Sequence, residues 1–144
     1  MSSIPILLEG GLVVDGSGGP SWHGDVLLVG ERIQRLGAGL RQRLPDGMAI
    51  GDVEVVDCRD RVIAPGFIDA HTHDDAIVLS DPAYLPKVSQ GITTLVTGNC
   101  GISLAPYVTD AAKPPLNLLG AQSFRYPSFA DYAQAVAAAR PAPT

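Results

Sequence analysis

The chain has 144 residues, with 10 Lys+Arg against 15 Asp+Glu (formal net charge −5), 46% hydrophobic residues and 17% charged ones. That composition belongs to a folded chain and its charge argues against a nucleic-acid or anionic-membrane surface, while the length as a prior means one domain. The same length excludes a complete (β/α)8 barrel, which takes at least about 200 residues.

The N-terminal ten residues carry no Lys or Arg, and the apolar stretch 4–8 is too short for a signal-peptide core. No run approaches the roughly 18 apolar residues of a membrane span. The expected compartment is the cytoplasm, with no membrane partner. Cys58 and Cys100, two thiols in the whole chain, do not make a disulfide framework.

The first sixty residues predict short strands. Residues 6–14 form a Leu/Val-rich run that ends in Asp15-Gly16-Ser17-Gly18-Gly19-Pro20, a strong turn signal. Residues 25–29 are a second β run, and 32–36 continue a hairpin. Residues 37–51 form a looser polar and Gly/Pro stretch, and 53–56 and 61–63 are further β runs. Strands at this spacing suggest a small β sandwich or sheet. Cys58 and Trp22 read as packing residues of this layer, and His23 as a surface residue in the loop 20–24.

The pattern changes at Ala64-Pro65-Gly66. Residues 67–71 are a compact β run with polar residues at its C-terminal end. Residues 81–90 predict a helix: Asp81 suits the N-cap, Pro82 the first helical position and Gly91 the stop. Residues 92–97 are almost all β-branched and predict a buried strand. Strand–helix–strand is the unit of a parallel sheet. From Cys100 to about Pro127 the chain reads as loop, and Ser128 caps a predicted helix over 129–140.

His71-Thr72-His73 at the end of a predicted strand is the leading candidate site. Alternating side chains place both imidazoles on one face, about 7 Å apart at Cα. Neutral imidazoles so placed can share a metal ion. By itself such a pair also reads as a solvated strand end; the flanking Pro65-Gly66-Phe67-Ile68-Asp69 and Asp74-Asp75 favour ligands. Asp69 shares their face, either as a carboxylate that fixes an imidazole tautomer or as a turn-bonding cap. Asp74 and Asp75 read mainly as exposed loop carboxylates. Cys100 follows the next strand in Thr97-Gly98-Asn99-Cys100-Gly101, at the position topologically equivalent to His73. It reads as a third ligand, as a small buried hydrophobe, or as a nucleophile. Lys87 and Lys113 do not stand out.

These residues resemble a family. Val55-Val56-Asp57, followed by Arg61-Val62-Ile63-Ala64-Pro65-Gly66-Phe67-Ile68-Asp69-Ala70-His71-Thr72-His73, looks like the entry segment of the metal-dependent amidohydrolase superfamily. His71-Thr72-His73-Asp74-Asp75 and the stretch from Lys87 through Gly98-Asn99-Cys100-Gly101 to Pro106 resemble its D-aminoacylase branch. Ser123-Phe124-Arg125-Tyr126 and Phe129-Ala130-Asp131-Tyr132 fit that branch too. Asp60-Arg61 stands where the family usually has Gly and a basic residue, and Asp tolerates the left-handed turn that Gly would take.

The resemblance implies an α/β fold: a small N-terminal β-sandwich layer over 1–63, then over 64–144 the first βα units of a truncated (β/α)8 amidohydrolase barrel. It implies Zn2+ held by His71, His73 and Cys100, the last in the place of the carboxylated lysine of other amidohydrolases. Gly-Asn-Cys at that place argues against dihydroorotase or hydantoinase. It implies hydrolysis of N-acyl-D-amino acids to a carboxylate and a D-amino acid. The general acid/base Asp is expected beyond Thr144, and so are two further His ligands. The 144 residues alone are therefore expected to be inactive, needing self-association or a complementing C-terminal segment. Other amidohydrolase chemistry (cyclic amidase or deaminase) and a non-catalytic metal-binding fragment are the alternatives.

Overall fold

The computed structural model describes residues 4–120 and 124–142. It divides into two compact units, one up to Pro65 and one from Gly66.

In the first unit, β1 (Ile6–Val13) is the centre of a five-stranded mixed sheet. β2 (Trp22–Val29) pairs with it antiparallel, and β3 (Arg32–Gly37) pairs with β2 at the edge. On the other side β4 (Glu54–Asp57) and β5 (Val62–Ile63) run parallel to β1, β4 along its first half and β5 along its last two residues. These strands match the β runs legible in the sequence to within a few residues. His23 and Trp22 fall inside β2 rather than in a loop before it, with His23 exposed and Trp22 half-buried against the core. Asp60 takes φ 61° in the turn before β5, the left-handed conformation expected of it.

Both faces of this sheet bury side chains, as period-2 alternation of apolar pairs requires. Leu7 and Leu27, opposite each other in the β1–β2 ladder, pack with Leu40 and Val53. Val13, Val26, Cys58 and Ile63 make the second cluster, so Cys58 is a structural core residue. The register of β1 slips between Leu8 and Gly11. Gly10 stands there at φ 77°, where a side chain is strained, and its N–H donates to Asp25 Oδ1 at 2.8 Å. Asp25 Oδ2 accepts the Leu40 N–H, also at 2.8 Å. One buried carboxylate thus satisfies both the bulge and the start of the 3-10 turn Leu40–Gln42.

In the second unit, β6 (Phe67–Asp69) and β7 (Ile92–Leu95) pair in parallel. The predicted helix over 81–90 does not form as one element. Two single-turn helices take its place, α1 (Ile77–Ser80) and α2 (Leu85–Val88). Asp81 is the C-cap of α1, not an N-cap, and Tyr84 enters the left-handed region at φ 37°. The physical reason is Pro86: in a helix begun at Pro82 it would stand in the interior, without an N–H and against the carbonyl four residues before it. Started at Leu85 instead, the helix has Pro86 in its first turn, where no donor is needed. Gly91, expected as the stop of that helix, takes φ 79° two residues past Ser89, the C-cap of α2.

The stretch from Cys100 to Pro127, expected as loop, contains a small antiparallel pair, β8 (Tyr107–Thr109) and β9 (Phe124–Tyr126). Three-residue strands hemmed by prolines carry too little periodicity to be read. Ser123 lies outside the described residues. The last helix, α3 (Phe129–Ala139), starts at the predicted cap: Ser128 Oγ accepts the Asp131 N–H, and the Asp131 carboxylate accepts the Ser128 N–H. Ile102, Leu104, Ala105, Leu119, Phe124 and Tyr132 form the core of this unit. No helix among the described residues is long and apolar enough to cross a membrane.

Candidate metal centre

His71 and His73 follow β6, and Cys100 follows β7. Because the two strands are parallel, their C-terminal ends lie together and bring residues 29 apart in sequence into contact. His71 Nε2 lies 3.2 Å from Cys100 Sγ, and one ligand atom from each of His71, His73 and Cys100 falls within 4.8 Å of the others. The imidazoles stand edge to face, with centroids 5.6 Å apart. They leave from the turn after β6 rather than from the strand itself, so strand alternation is not what brings them together.

Cys100 has φ 58°, ψ 17°, and is flanked by Gly98 and Gly101, also at positive φ. Asn99 Nδ2 donates to Val96 O (2.6 Å) and Thr72 O (3.3 Å), tying the cysteine turn to the histidine turn. The Thr72 N–H reaches Val96 O at 3.4 Å and closes the same junction.

The carboxylates around the imidazoles are not exposed loop groups. Asp75 is fully buried: Oδ2 accepts the Gly98 N–H at 3.4 Å, and its carbonyl accepts the Tyr132 hydroxyl at 2.9 Å. Burial first, and the Asp75 charge second, push the Tyr132 phenol up to about 12. Asp69 takes the capping role: Oδ1 accepts the His71 N–H (3.3 Å), and Oδ2 accepts from Lys87 Nζ. The bond from Lys87 is the chief reason the Asp69 carboxyl lies below the ordinary carboxylate range. At Asp74 burial works the other way, but hydrogen bonds from Thr72, Tyr84 and Lys87 outweigh it, and the net direction is also down. The Lys87 ammonium is held above its ordinary value, mainly by Asp69. Lys87, Asp75 and Asn99 therefore matter here, although the sequence set Lys87 aside, read Asp75 as an exposed loop carboxylate and gave Asn99 no role beyond its place in the Gly-Asn-Cys motif. All three lie in the stretches that carry the family resemblance, and that was the one available signal.

The donor set tests whether a metal fits. Two imidazole nitrogens and a thiolate suit a borderline-soft divalent ion such as zinc. Usual Zn–N and Zn–S lengths in a tetrahedron separate ligand atoms by about 3.3–3.6 Å, and the three donors here lie at or within little more than an ångström of that. His73 Nδ1 is buried without a hydrogen-bond partner, a state that leaves an imidazole in need of one. The residues fit the group.

Known proteins similar to this chain include deacylases and a D-aminoacylase. An N-acyl-D-aspartate deacylase of Alcaligenes xylosoxydans xylosoxydans is 48% identical over 132 residues, covering 91% of this chain and 25% of that protein. A solved D-aminoacylase, described for the functional role of its binuclear metal centre, superposes with a TM-score of 0.82 at 44% identity, over 95% of this chain and 27% of that one. An N-acyl-D-glutamate deacylase from Bordetella bronchiseptica, solved with zinc and a phosphonate inhibitor, gives 0.80 at 34% identity, over 94% and 27%. The chain spans about a quarter of the length of these relatives. The amidohydrolase family model matches residues 54–141, more than half of the chain. With that match, and with histidines and cysteine gathered at the ends of two parallel strands, the chain belongs to the amidohydrolase family.

Proposed function

We propose that this chain carries the first metal ligands of a zinc-dependent hydrolase that cleaves the amide of N-acyl-D-amino acids to a carboxylate and a D-amino acid. The observation that carries the reading is the meeting of His71, His73 and Cys100 within 4.8 Å. The substrate class rests on the relatives, named as deacylases of N-acyl-D-aspartate and N-acyl-D-glutamate. Residues 1–63 form the small β layer, and 64–144 the first βα units of a (β/α)8 barrel. The parallel β6–β7 pair with the ligands at its C-terminal end supports this, because active sites of such barrels are built there.

When bound, zinc lowers the pKa of its water to about 7 and polarises the scissile carbonyl. This chain's residues would hold that ion through the two imidazoles and the thiolate. The nearby carboxylates are committed elsewhere: Asp69 and Asp74 pair with Lys87, and Asp75 is buried. By the family resemblance, the role of moving the proton between water and leaving amine is assigned to an aspartate outside these residues. The 144-residue chain alone is therefore inactive.

Titrating the purified chain with Co2+ against a chelator tests the ligand set. One equivalent with a thiolate-to-cobalt absorption band is expected, and Cys100→Ala is expected to lose the band and weaken binding at least tenfold. A chain that binds no metal, or a variant that keeps the band, would sink the assignment. Turnover of N-acetyl-D-amino acids by the zinc-loaded chain would overturn its inactivity.

A further inference from the structure

The residues on both sides of the two imidazoles meet at one cation. Lys87 Nζ donates to Asp69 Oδ2, lies 3.2 Å from Asp74 Oδ2, and reaches Thr72 Oγ1 at 3.5 Å. An ammonium has three donors, and all three here go to one six-residue stretch. Asp69 precedes His71, Thr72 separates the imidazoles, and Asp74 follows His73. The network closes on itself: the Thr72 hydroxyl donates to Asp74 Oδ2, and the other Asp69 oxygen accepts the His71 N–H. The Lys87 side chain is 19% exposed and comes from α2, so the turn is pinned by a separate element.

Among the described residues the imidazoles make few contacts of their own: they stand edge to face on each other. Among the described residues, His73 Nδ1 has no hydrogen-bond partner, and His71 Nε2 meets the Cys100 sulfur. Their direction therefore follows from the backbone that carries them.

We propose that Lys87 is a positioning residue for the metal centre: its ammonium, fastened to Asp69 and Asp74 on either side of His71 and His73, holds both imidazoles in register with Cys100. This rests on the ligand reading given above. Without the ammonium, two half-buried carboxylates that now share one cation are left uncompensated, and their repulsion opens the turn.

The test combines amide hydrogen exchange on the metal-free chain with cobalt affinity and spectrum. Lys87→Met is expected to speed exchange of the His71 and Thr72 amides tenfold or more while leaving the β1–β2 and α3 amides unchanged. It should weaken cobalt binding 10- to 100-fold, the usual effect of losing a group that orients a ligand, and shift the thiolate band. Lys87→Arg should recover most of both, because it restores the charge. Should Lys87→Met fail to fold, Asp74→Asn removes one contact and carries the same test at those two amides. Wild-type exchange in these variants overturns the proposal, as does exchange raised equally throughout the unit. Equal cobalt affinity in wild type and Lys87→Met overturns it while leaving the ligand reading intact. A wild-type chain that binds no cobalt sinks the ligand reading, and the exchange data still decide the clamp.

Discussion

Cys100 stands at φ 58°, ψ 17°, a conformation that costs a non-glycine residue about 1–2 kcal/mol. It is paid at the point where the sulfur meets His71 Nε2. Asp25 shows the same economy of one side chain at a structural position, since its two oxygens take the N–H groups of Gly10 and Leu40 inside the sheet. Asp25→Ala leaves the buried Leu40 donor and the half-buried Gly10 donor unpaired and is expected to cost about 3 kcal/mol, read from urea unfolding. A loss under about 1 kcal/mol would mean that water or a shifted backbone replaces the carboxylate. At this scale the three residues that meet were legible in the sequence, and of the groups around them only the capping Asp69 was. His71, His73 and Cys100 are chemistry-bearing residues at recognisable spacing. Lys87, by contrast, is an ordinary helical lysine until its partners 13, 15 and 18 residues away are known.

Among the elements, the β6–β7 pair decides where the site lies, and its close approach depends on Gly66. A Cβ there would fall 2.0 Å from Thr93 Oγ1 and 2.7 Å from Thr93 Cβ, so a rotamer change cannot relieve the clash. Thr93 is the extra residue where the register slips between Phe67 and Ile68. Gly66→Ala is expected to destabilise the second unit by about 2 kcal/mol and to speed exchange of the Phe67 and Val96 amides, which bond across the pair. Wild-type exchange at both would show that the strands part without cost. The strands and the cap of α3 were legible because alternation and a Ser-x-x-Asp box are local signals. The helix predicted over 81–90 failed on an equally local fact, Pro86, which outweighs the cap signals before it.

For the molecule as a whole, each unit has its own core, but both leave apolar surface open. Phe67 and Ile68 are 64% and 65% exposed on the parallel pair. In the first unit, a groove of about 280 Å3 runs over Val13, Val26, Ile33, Leu36 and Ile63. The relatives are about four times as long. Within the second unit, α3 is joined to the histidine turn through Tyr132, whose hydroxyl donates to the Asp75 carbonyl. Its phenol is raised from 10.0 to about 12 on folding, so the folded state holds the proton more tightly. The stability this provides is complete below about pH 10 and is lost as pH rises toward 12, because there the native state binds more protons than the unfolded one. The urea midpoint is expected to fall between pH 9 and pH 11.5, and to fall less in Tyr132→Phe. An equal drop in both proteins would remove Tyr132 as its source.

The sequence by itself determined the elements whose signals are local and the residues proposed to carry chemistry. These are the β runs of the first unit, the capped last helix, and the His-x-His and Gly-Asn-Cys motifs. Alternation, capping and turn preference act over a few residues, and a single chain displays them. Only the tertiary structure decided that the parallel pairing of β6 with β7 brings Cys100 to within 3.2 Å of His71. It alone decided that Asp75 is buried and that one lysine holds Asp69 and Asp74 together. Ion pairs and burial depend on which surfaces the fold brings into contact, and residues far apart in sequence carry no local sign of it.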